Sequence, residues 1–440
     1  MARNRILRSL SCGLNLLVCL VILYRSRGVK ERTMGLKNKI LRNSFLAGIV
    51  LLGTSFTHAE VIFSDSFDDQ PDWNSGLPEN DRGQLDMGGS YRGGWDVDIV
   101  QTATQHTIPN GWDFVRQTPS WSPSMGDPDR HETIEVSSTS TAENPNRARG
   151  GTGKSFIKWR DSDISKGENS WQSDGILVKY FPDGYSQLYM EFWINFSNET
   201  LATWSNPDYK TATVGQAKLF RFYYWNGISA AFDYYSDKYP AVTWDYEGRS
   251  VSQSGYGVRN ATLISTKRSD RNDPTQSKRL DKNGNPTNDF STSYHPKTTL
   301  RQGGEVLVDQ RTGKPMDPGQ FAIEFDQVFG DETRWTKVAF FAKMNSAPGK
   351  YDGVYKQWID DKLIVDFDTM QWVAAGNPMV GWNVVALGGN DNFNKYPNDQ
   401  RVEEWWAIDD LKVSTEIPDY LIGDLKSAAP PNPPLNITLE

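Results

Sequence analysis

The chain has few cysteines, few histidines and little helical periodicity. Only Cys12 and Cys19 occur in 440 residues, both before residue 60, so the rest has no disulfide, no Cys-based zinc site and no thiol nucleophile. Of the four histidines, His106, His131 and His295 lie beyond that point, and none sits in a metal-ligand spacing. A basic excess is also missing. The 47 Lys and Arg stand against 55 Asp and Glu, which argues against a dedicated nucleic-acid binder. The charge is unevenly spread: residues 1–59 hold ten Lys and Arg and one Glu, leaving 37 against 54, a net −17, in the remainder. What the chain does have is rings. Its 16 Trp, 18 Tyr and 20 Phe can fill a sizeable core and exclude global disorder.

Residues 1–59 read as an address. Lys37, Lys39 and Arg42 precede the apolar run Phe45–Gly53, and Thr57-His58-Ala59 follows it, the pattern of a secretory signal peptide cut after Ala59. The upstream stretch Leu14–Tyr24 is shorter than the ~20 residues a spanning helix needs. Met34 is therefore read as the start, with residues 1–33 a mis-assigned extension. The expected product is secreted or periplasmic, monomeric, and without stable membrane association once the signal is removed.

From Val61 onward, short alternating runs sit between Gly, Pro, Asn and Asp clusters, which points to one all-β domain over residues 60–417. In Leu188–Phe196 the residues Leu188, Met190, Phe192, Ile194 and Phe196 share one face, with Tyr189, Glu191, Trp193 and Asn195 on the other. Thr336–Asn345 alternates likewise, with Lys337, Phe341, Lys343 and Asn345 opposite Val338, Phe340, Ala342 and Met344. Gln216–Trp225, Gly353–Ile359 and Trp405–Val413 read as further strands. Residues 265–320 read as a polar insertion with a hairpin, and 418–440 as a loose tail. Pairing of the first strand, Val61–Asp68, with the last, Trp406–Val413, would gather Asp65, Asp68, Asp409 and Asp410, a hard-oxygen set suited to a structural calcium ion. No cofactor is otherwise required.

Lys343-Met344-Asn345, Asp352-Gly353-Val354-Tyr355 and Trp358-Ile359-Asp360-Asp361-Lys362-Leu363 resemble the late strands of concanavalin A-like jelly rolls, in particular secreted alginate-lyase-type polysaccharide lyases of family fourteen. Gly215-Gln216-Ala217-Lys218-Leu219 is similar to that group's Gly-Gly-Lys-Leu-Pro-Gly strand, whose Lys is implicated in catalysis. Here Phe220-Arg221 replaces Pro-Gly. Gly353-Val354-Tyr355-Lys356-Gln357 resembles the family-seven strand whose Tyr moves a proton, though the Gln-Ile-His strand of that family has no counterpart. The resemblance implies a two-sheet antiparallel jelly-roll sandwich with long loop insertions, and cleavage of an acidic, uronate-containing polysaccharide by β-elimination. Glu324-Phe325-Asp326 begins like the acid strand of laminarinase-type glycosidases, but Phe329 stands where the second catalytic acid belongs.

Elimination requires that a uronate carboxylate be neutralised, the C5 proton removed and the leaving oxygen protonated. Lys218, Arg221, Gln357 and Tyr355 are the catalytic candidates, a cation or amide for the first task and a phenol for the proton work. Sugars offer apolar C–H faces and many hydroxyls, so Tyr189, Glu191, Trp193, Asn195, Tyr223, Lys343 and Asn345 are the binding candidates. Strict alternation would turn Lys218 and Arg221 to opposite faces unless a bulge intervenes. The rival expectation is a non-catalytic binder of the same fold, with an anionic polysaccharide as partner in either case.

Overall fold

In a computed structural model the described residues are 60–76, 99–102, 107–117, 122–125, 129–161, 171–200, 216–226, 240–247, 257–263, 278–280, 306–308, 331–392 and 403–422. The signal segment, most of 265–320, the 324–329 acid strand, His106 and His295 lie outside them. The strands begin with β1 (Val61–Asp65), β2 (Trp73–Asn74), β3 (Ile99–Thr102), β4 (Phe114–Gln117), β5 (Ile134–Val136) and β6 (Phe156–Asp161). There follow β7 (Trp171–Tyr185), β8 (Gln187–Phe196), β9 (Gln216–Tyr223), β10 (Ala241–Glu247), β11 (Gly257–Leu263) and β12 (Lys278–Leu280). The last are β13 (Val306–Val308), β14 (Thr336–Lys343), β15 (Gly353–Ile359), β16 (Lys362–Met370), β17 (Trp382–Asn392) and β18 (Glu403–Ser414).

The fold is all-β, as expected. A nine-stranded sheet runs β16-β15-β14-β8-β18-β6-β5-β2, with β1 also on β18, and a seven-stranded sheet runs β11-β10-β9-β17-β7-β4-β3. Every pairing in both is antiparallel. The terminal strands meet, Val61 opposite Ser414 and Asp65 opposite Leu411. Within the 265–320 segment, β12 and β13 pair with each other.

Alternation explains the layering. Leu188, Met190, Phe192 and Ile194 of β8 and Val338, Phe340 and Ala342 of β14 turn inward from one sheet, meeting Phe220, Phe222, Val242, Trp244, Val385 and Leu387 from the other. Phe340 stacks on Phe220 at 5.4 Å, Phe192 lies 4.7 Å from Phe220, and Phe222 lies 6.0 Å from Phe340. Such ring pairs are worth about 0.5–1.5 kcal/mol each beyond their burial, so they weld the two sheets at their centre. A six-residue helix, α1 (Ser138–Glu143), is capped by Ser137, whose side chain accepts from Ser140 N.

The tail boundary needs correction. Residues 419–422 form one helical turn, and Leu421 is fully buried against Tyr189, Phe341 and Trp358. An apolar residue seated there ties the chain down through at least Ile422.

Candidate functional site

The outer face of the seven-stranded sheet brings cations and rings together over a floor of small and apolar side chains. Register partners align in rows across it. Tyr180, Val384, Tyr223 and Ala241 form one, Phe114, Val178, Ala386, Arg221 and Thr243 the next, and Arg116, Ile176 and Gly388 a third. Ile176, Val178, Tyr223, Ala241, Val384 and Ala386 form an apolar cluster of their own, separate from the core between the sheets. Phe114, Tyr180 and Trp225 pack on it as a half-buried triad, Tyr180 to Trp225 at 5.1 Å and Phe114 to Trp225 at 6.0 Å. Asn383 holds Trp225 by accepting from its backbone N at 2.7 Å and donating to its backbone O at 2.8 Å.

A bulge resolves the question of Lys218 and Arg221. In the β9–β10 ladder Trp244 pairs with Phe220 and the next residue, Asp245, pairs with Lys218, so Leu219 has no opposite number. Ala217, Leu219 and Phe220 enter the core, which turns Lys218 to the side of Arg221. On β17 a matching irregularity falls between Leu387 and Asp391. Its centre is Gly388, at φ 86°, a left-handed conformation that costs glycine little. The Gly388 carbonyl accepts from Arg221 Nη2 at 2.8 Å and Nε at 3.2 Å. At Gly389 a Cβ would overlap the Arg221 guanidinium and lie 2.7 Å from Lys218 Cβ. Arg116 stands on β4, three strand spacings from Arg221, or about 14 Å, with its Nη2 2.7 Å from Asp174 Oδ1. Lys218, Arg221 and Tyr223 are buried, whereas Arg116, Phe114, Tyr180 and Trp225 are half-buried. The open part of this face is therefore its β4–β7 side and the Trp225 corner.

The other proposed binding residues lie elsewhere. Tyr189, Glu191, Trp193 and Lys343 occupy the outer face of the nine-stranded sheet, as alternation requires, but much of that face is covered by the chain itself. Tyr189 is buried and donates its hydroxyl to Glu191 Oε2 at 2.7 Å. Tyr420, from the terminal turn, donates to the same oxygen at 3.0 Å. Lys412 and Lys337 approach Glu191 at 3.1 and 3.3 Å. Burial alone would raise the Glu191 pKa, but the Tyr189 hydroxyl and the two lysines outweigh it and hold it low. Burial and the Glu191 charge push the Tyr189 phenol up, away from proton transfer near neutrality. Trp193 carries the Arg149 guanidinium 4.1 Å above its ring, and the buried Asn195 donates to the carbonyls of Asn146 and Glu332. Lys343 alone of this set is exposed.

Tyr355, Gln357 and Asn345 are interior. Tyr355 is fully buried in the core, edge-on to Trp372 at 6.0 Å, because β15 turns Tyr355, Gln357 and Ile359 toward the opposite sheet. Asn345 spends its amide on the chain, donating to Ala347 O and Val373 O and accepting from Val373 N. The sequence-derived set thus divides between the two outer faces and the interior, and of the catalytic candidates only Lys218 and Arg221 share an outer face, with Tyr223 beside them. Arg116, Asp174, Phe114, Tyr180 and Trp225 were missed. The alternation Asp174, Ile176, Val178, Tyr180 was the signal available for part of this set.

The terminal acids do not form a calcium cradle. Asp65 accepts from Phe67 N, Gln70 Nε2 and Trp112 Nε1, each at 2.7 Å. Asp409 accepts from Arg149 N at 2.9 Å and Asp410 N at 2.7 Å, and Asp410 pairs with Arg149 at 2.7 Å. With their oxygens committed to protein donors these carboxylates do not fit the ion. Among the described residues no group of three or more His, Cys, Asp or Glu is arranged to hold a metal. Burial drives Asp409 up to about 7, with Asp410 and Asp68 adding to the rise and the Arg149 and Asp410 amides opposing it. His131 stacks on Trp159 at 3.7 Å and bonds Glu403 Oε2 through Nδ1 at 2.9 Å. Burial pulls its pKa down, but Glu403 and Glu135 more than offset that and the net shift is upward.

No protein-family model matches the chain, and no curated protein matches its sequence. Solved structures do. An alginate lyase variant bound to alginate tetrasaccharide aligns at 12% identity, covering 81% of this chain and 97% of that one, with a TM-score of 0.36. An endo-beta-1,4-glucuronan lyase from the fungus Trichoderma reesei aligns at 12% identity over 70% and 92%, TM-score 0.34. The marine PL-14 alginate lyase from Aplysia kurodai aligns at 10% identity over 64% and 87%, TM-score 0.32. At these values the likeness assigns no chemistry to this chain. Among the described residues no helix is long and apolar enough to cross a membrane.

Proposed function

We propose that this is an exported polysaccharide lyase that binds a uronate-containing polymer along the outer face of the seven-stranded sheet and cleaves it by β-elimination. The observation that supports this best is the bulge at Leu219, which turns Lys218 and Arg221 to one side of β9. In this reading the two cations neutralise the uronate carboxylate and so stabilise the charge that develops as the C5 proton leaves. Tyr223 replaces Tyr355 as the phenol assigned to proton transfer, because it shares the face of Arg221 whereas Tyr355 is interior. Arg116 and the triad of Phe114, Tyr180 and Trp225 hold neighbouring sugars, the rings against their C–H faces.

The proposal is tested by incubating the protein with alginate, glucuronan and related polymers while following absorbance of the unsaturated product. Product formation that disappears in Tyr223→Phe and Lys218→Ala supports it, and no product from any uronate polymer removes it. A second reading, non-catalytic binding, is favoured by the burial of Lys218, Arg221 and Tyr223 against the half-buried rings and Arg116. Retention on a uronate column without product, weakened in Trp225→Ala, would select that reading.

A further inference from the structure

Four charged side chains are buried between the sheets where β6 faces β17. Arg160 of β6 bonds Glu404 of β18 at 2.5 Å, and Lys158 of β6 lies 3.5 Å from Asp391 of β17. Buried ion pairs contribute little to stability compared with apolar residues of the same volume, because desolvation cancels most of the attraction. The two pairs differ in what else they touch. Arg160 and Glu404 belong to neighbouring strands of one sheet. Lys158 instead reaches across to the opposite sheet and donates to the carbonyl of Gly389. Asp391 accepts from the backbone N of Lys218 at 3.2 Å. These contacts converge on the doubly irregular stretch of β9 and β17 whose Gly388 carbonyl holds the Arg221 guanidinium.

We infer that Lys158 and Asp391 are positioning residues: from inside the sandwich they fix the β17 bulge and the Lys218 backbone, and thereby set where the Lys218 and Arg221 side chains stand on the outer face. The run Gly388-Gly389-Asn390 is paired in register to β7 but lacks regular pairing to β9, and its two glycines leave that side free to shift unless the opposite sheet ties it. A lysine suits the task because its flexible four-carbon stem delivers a donor across an apolar gap to a single carbonyl. Asp391 balances that charge and uses its second oxygen on Lys218 N. Burial drives both toward their neutral forms, Lys158 downward and Asp391 upward, with their mutual attraction opposing it. The role in positioning rests on the polymer-binding reading of the outer face, whereas the role in holding the bulge does not.

The test compares the wild type with the double variant Lys158→Met/Asp391→Leu, which removes both charges together and takes the acceptor from Lys218 N. Lys356→Met/Asp366→Asn, an ion pair between β15 and β16 at the far edge of the nine-stranded sheet, serves as a control pair remote from the bulge. Hydrogen–deuterium exchange is read on peptides covering 216–222 and 387–392, alongside turnover or affinity on alginate and glucuronan. Exchange in those two peptides should rise about tenfold in the first double variant, the scale of one lost charge-assisted hydrogen bond, and stay unchanged in the control. Turnover should fall about 100-fold, the size expected of a misplacement near 1 Å, with KM less affected than kcat. Unchanged exchange overturns the inference, as does altered exchange with turnover and affinity intact. If wild type neither cleaves nor binds a uronate polymer, the functional reading fails while exchange still decides whether the pair holds the bulge. Should the double variant not fold, Asp391→Asn is compared with Asp391→Leu. Only the former keeps an oxygen for Lys218 N, so it should restore protection of 216–222, and equal exchange in the two would overturn the inference.

Discussion

Replacing Asp409 by Asn should make the protein more stable at pH 8 and slightly less stable at pH 4. Asp409 is buried on the outer face of β18, and its carboxyl rises from 3.8 to about 7, mainly through desolvation. A raised acid favours folding while it keeps its proton, so its contribution is fully present below 3.8 and is lost as pH climbs through about 7. The rise corresponds to roughly 4 kcal/mol of ionisation cost in the folded state. Asn carries no such cost, but its single oxygen cannot accept from both Arg149 N and Asp410 N, a loss of about 1 kcal/mol. The net gain at pH 8 is then ~3 kcal/mol, or a rise in Tm of roughly 4 °C at an unfolding entropy of ~2.1 cal/mol/K per residue over residues 60–422. Melting curves of both proteins from pH 4 to 8.5 should cross between 4 and 7. A variant that melts below wild type at every pH would refute the account of Asp409 as a proton-holding group.

Leu421→Ala should lower stability by about 2–5 kcal/mol, the range for emptying a fully buried leucine site, measured by urea unfolding, and should raise the accessibility of Tyr189 to nitration. Gly389→Ala should abolish turnover while the protein stays folded by circular dichroism, since the added methyl displaces the Arg221 guanidinium. Tyr355→Phe should leave polymer retention and turnover unchanged in the unsaturation assay, because its hydroxyl is interior. His131→Gln should flatten the loss of Tm as pH rises above 6.5, because a raised imidazole stabilises the fold only while protonated.

The strands were legible because one-sided burial imposes a period of two. The sequence reading of β8, β14 and β15 falls within one or two residues of the observed bounds, and the meeting of β1 with β18 followed from their patterns. Which outer faces stay open was not legible. Alternation separates Tyr189 and Glu191 from Leu188 and Met190, but it is silent about a turn at 419–422, more than 200 residues later, that lies over them. In β15 both faces carry mixed chemistry, with Tyr355 and Gln357 on one and Val354, Lys356 and Trp358 on the other, so hydrophobicity could not choose the inner one. The direction of Lys218 depended on the partner strands β10 and β17, whose bulges appear only in pairing. Leu387-Gly388-Gly389-Asn390 has the composition of a turn, which hid it as the middle of a long strand.

Strand β18 lies in the interior of its sheet, between β8 and β6, with β1 joined to its far end. The strand that finishes this layer therefore follows every other strand of its sheet in sequence order and is made after them. Until Glu403–Ser414 emerges, β8 and β6 each present a bare edge with open amides and carbonyls, so the nascent polypeptide cannot lock shut early. Such late closure keeps a chain threadable, and it also makes any stalled or truncated product ending before residue 403 a sticky one that chaperones must shield.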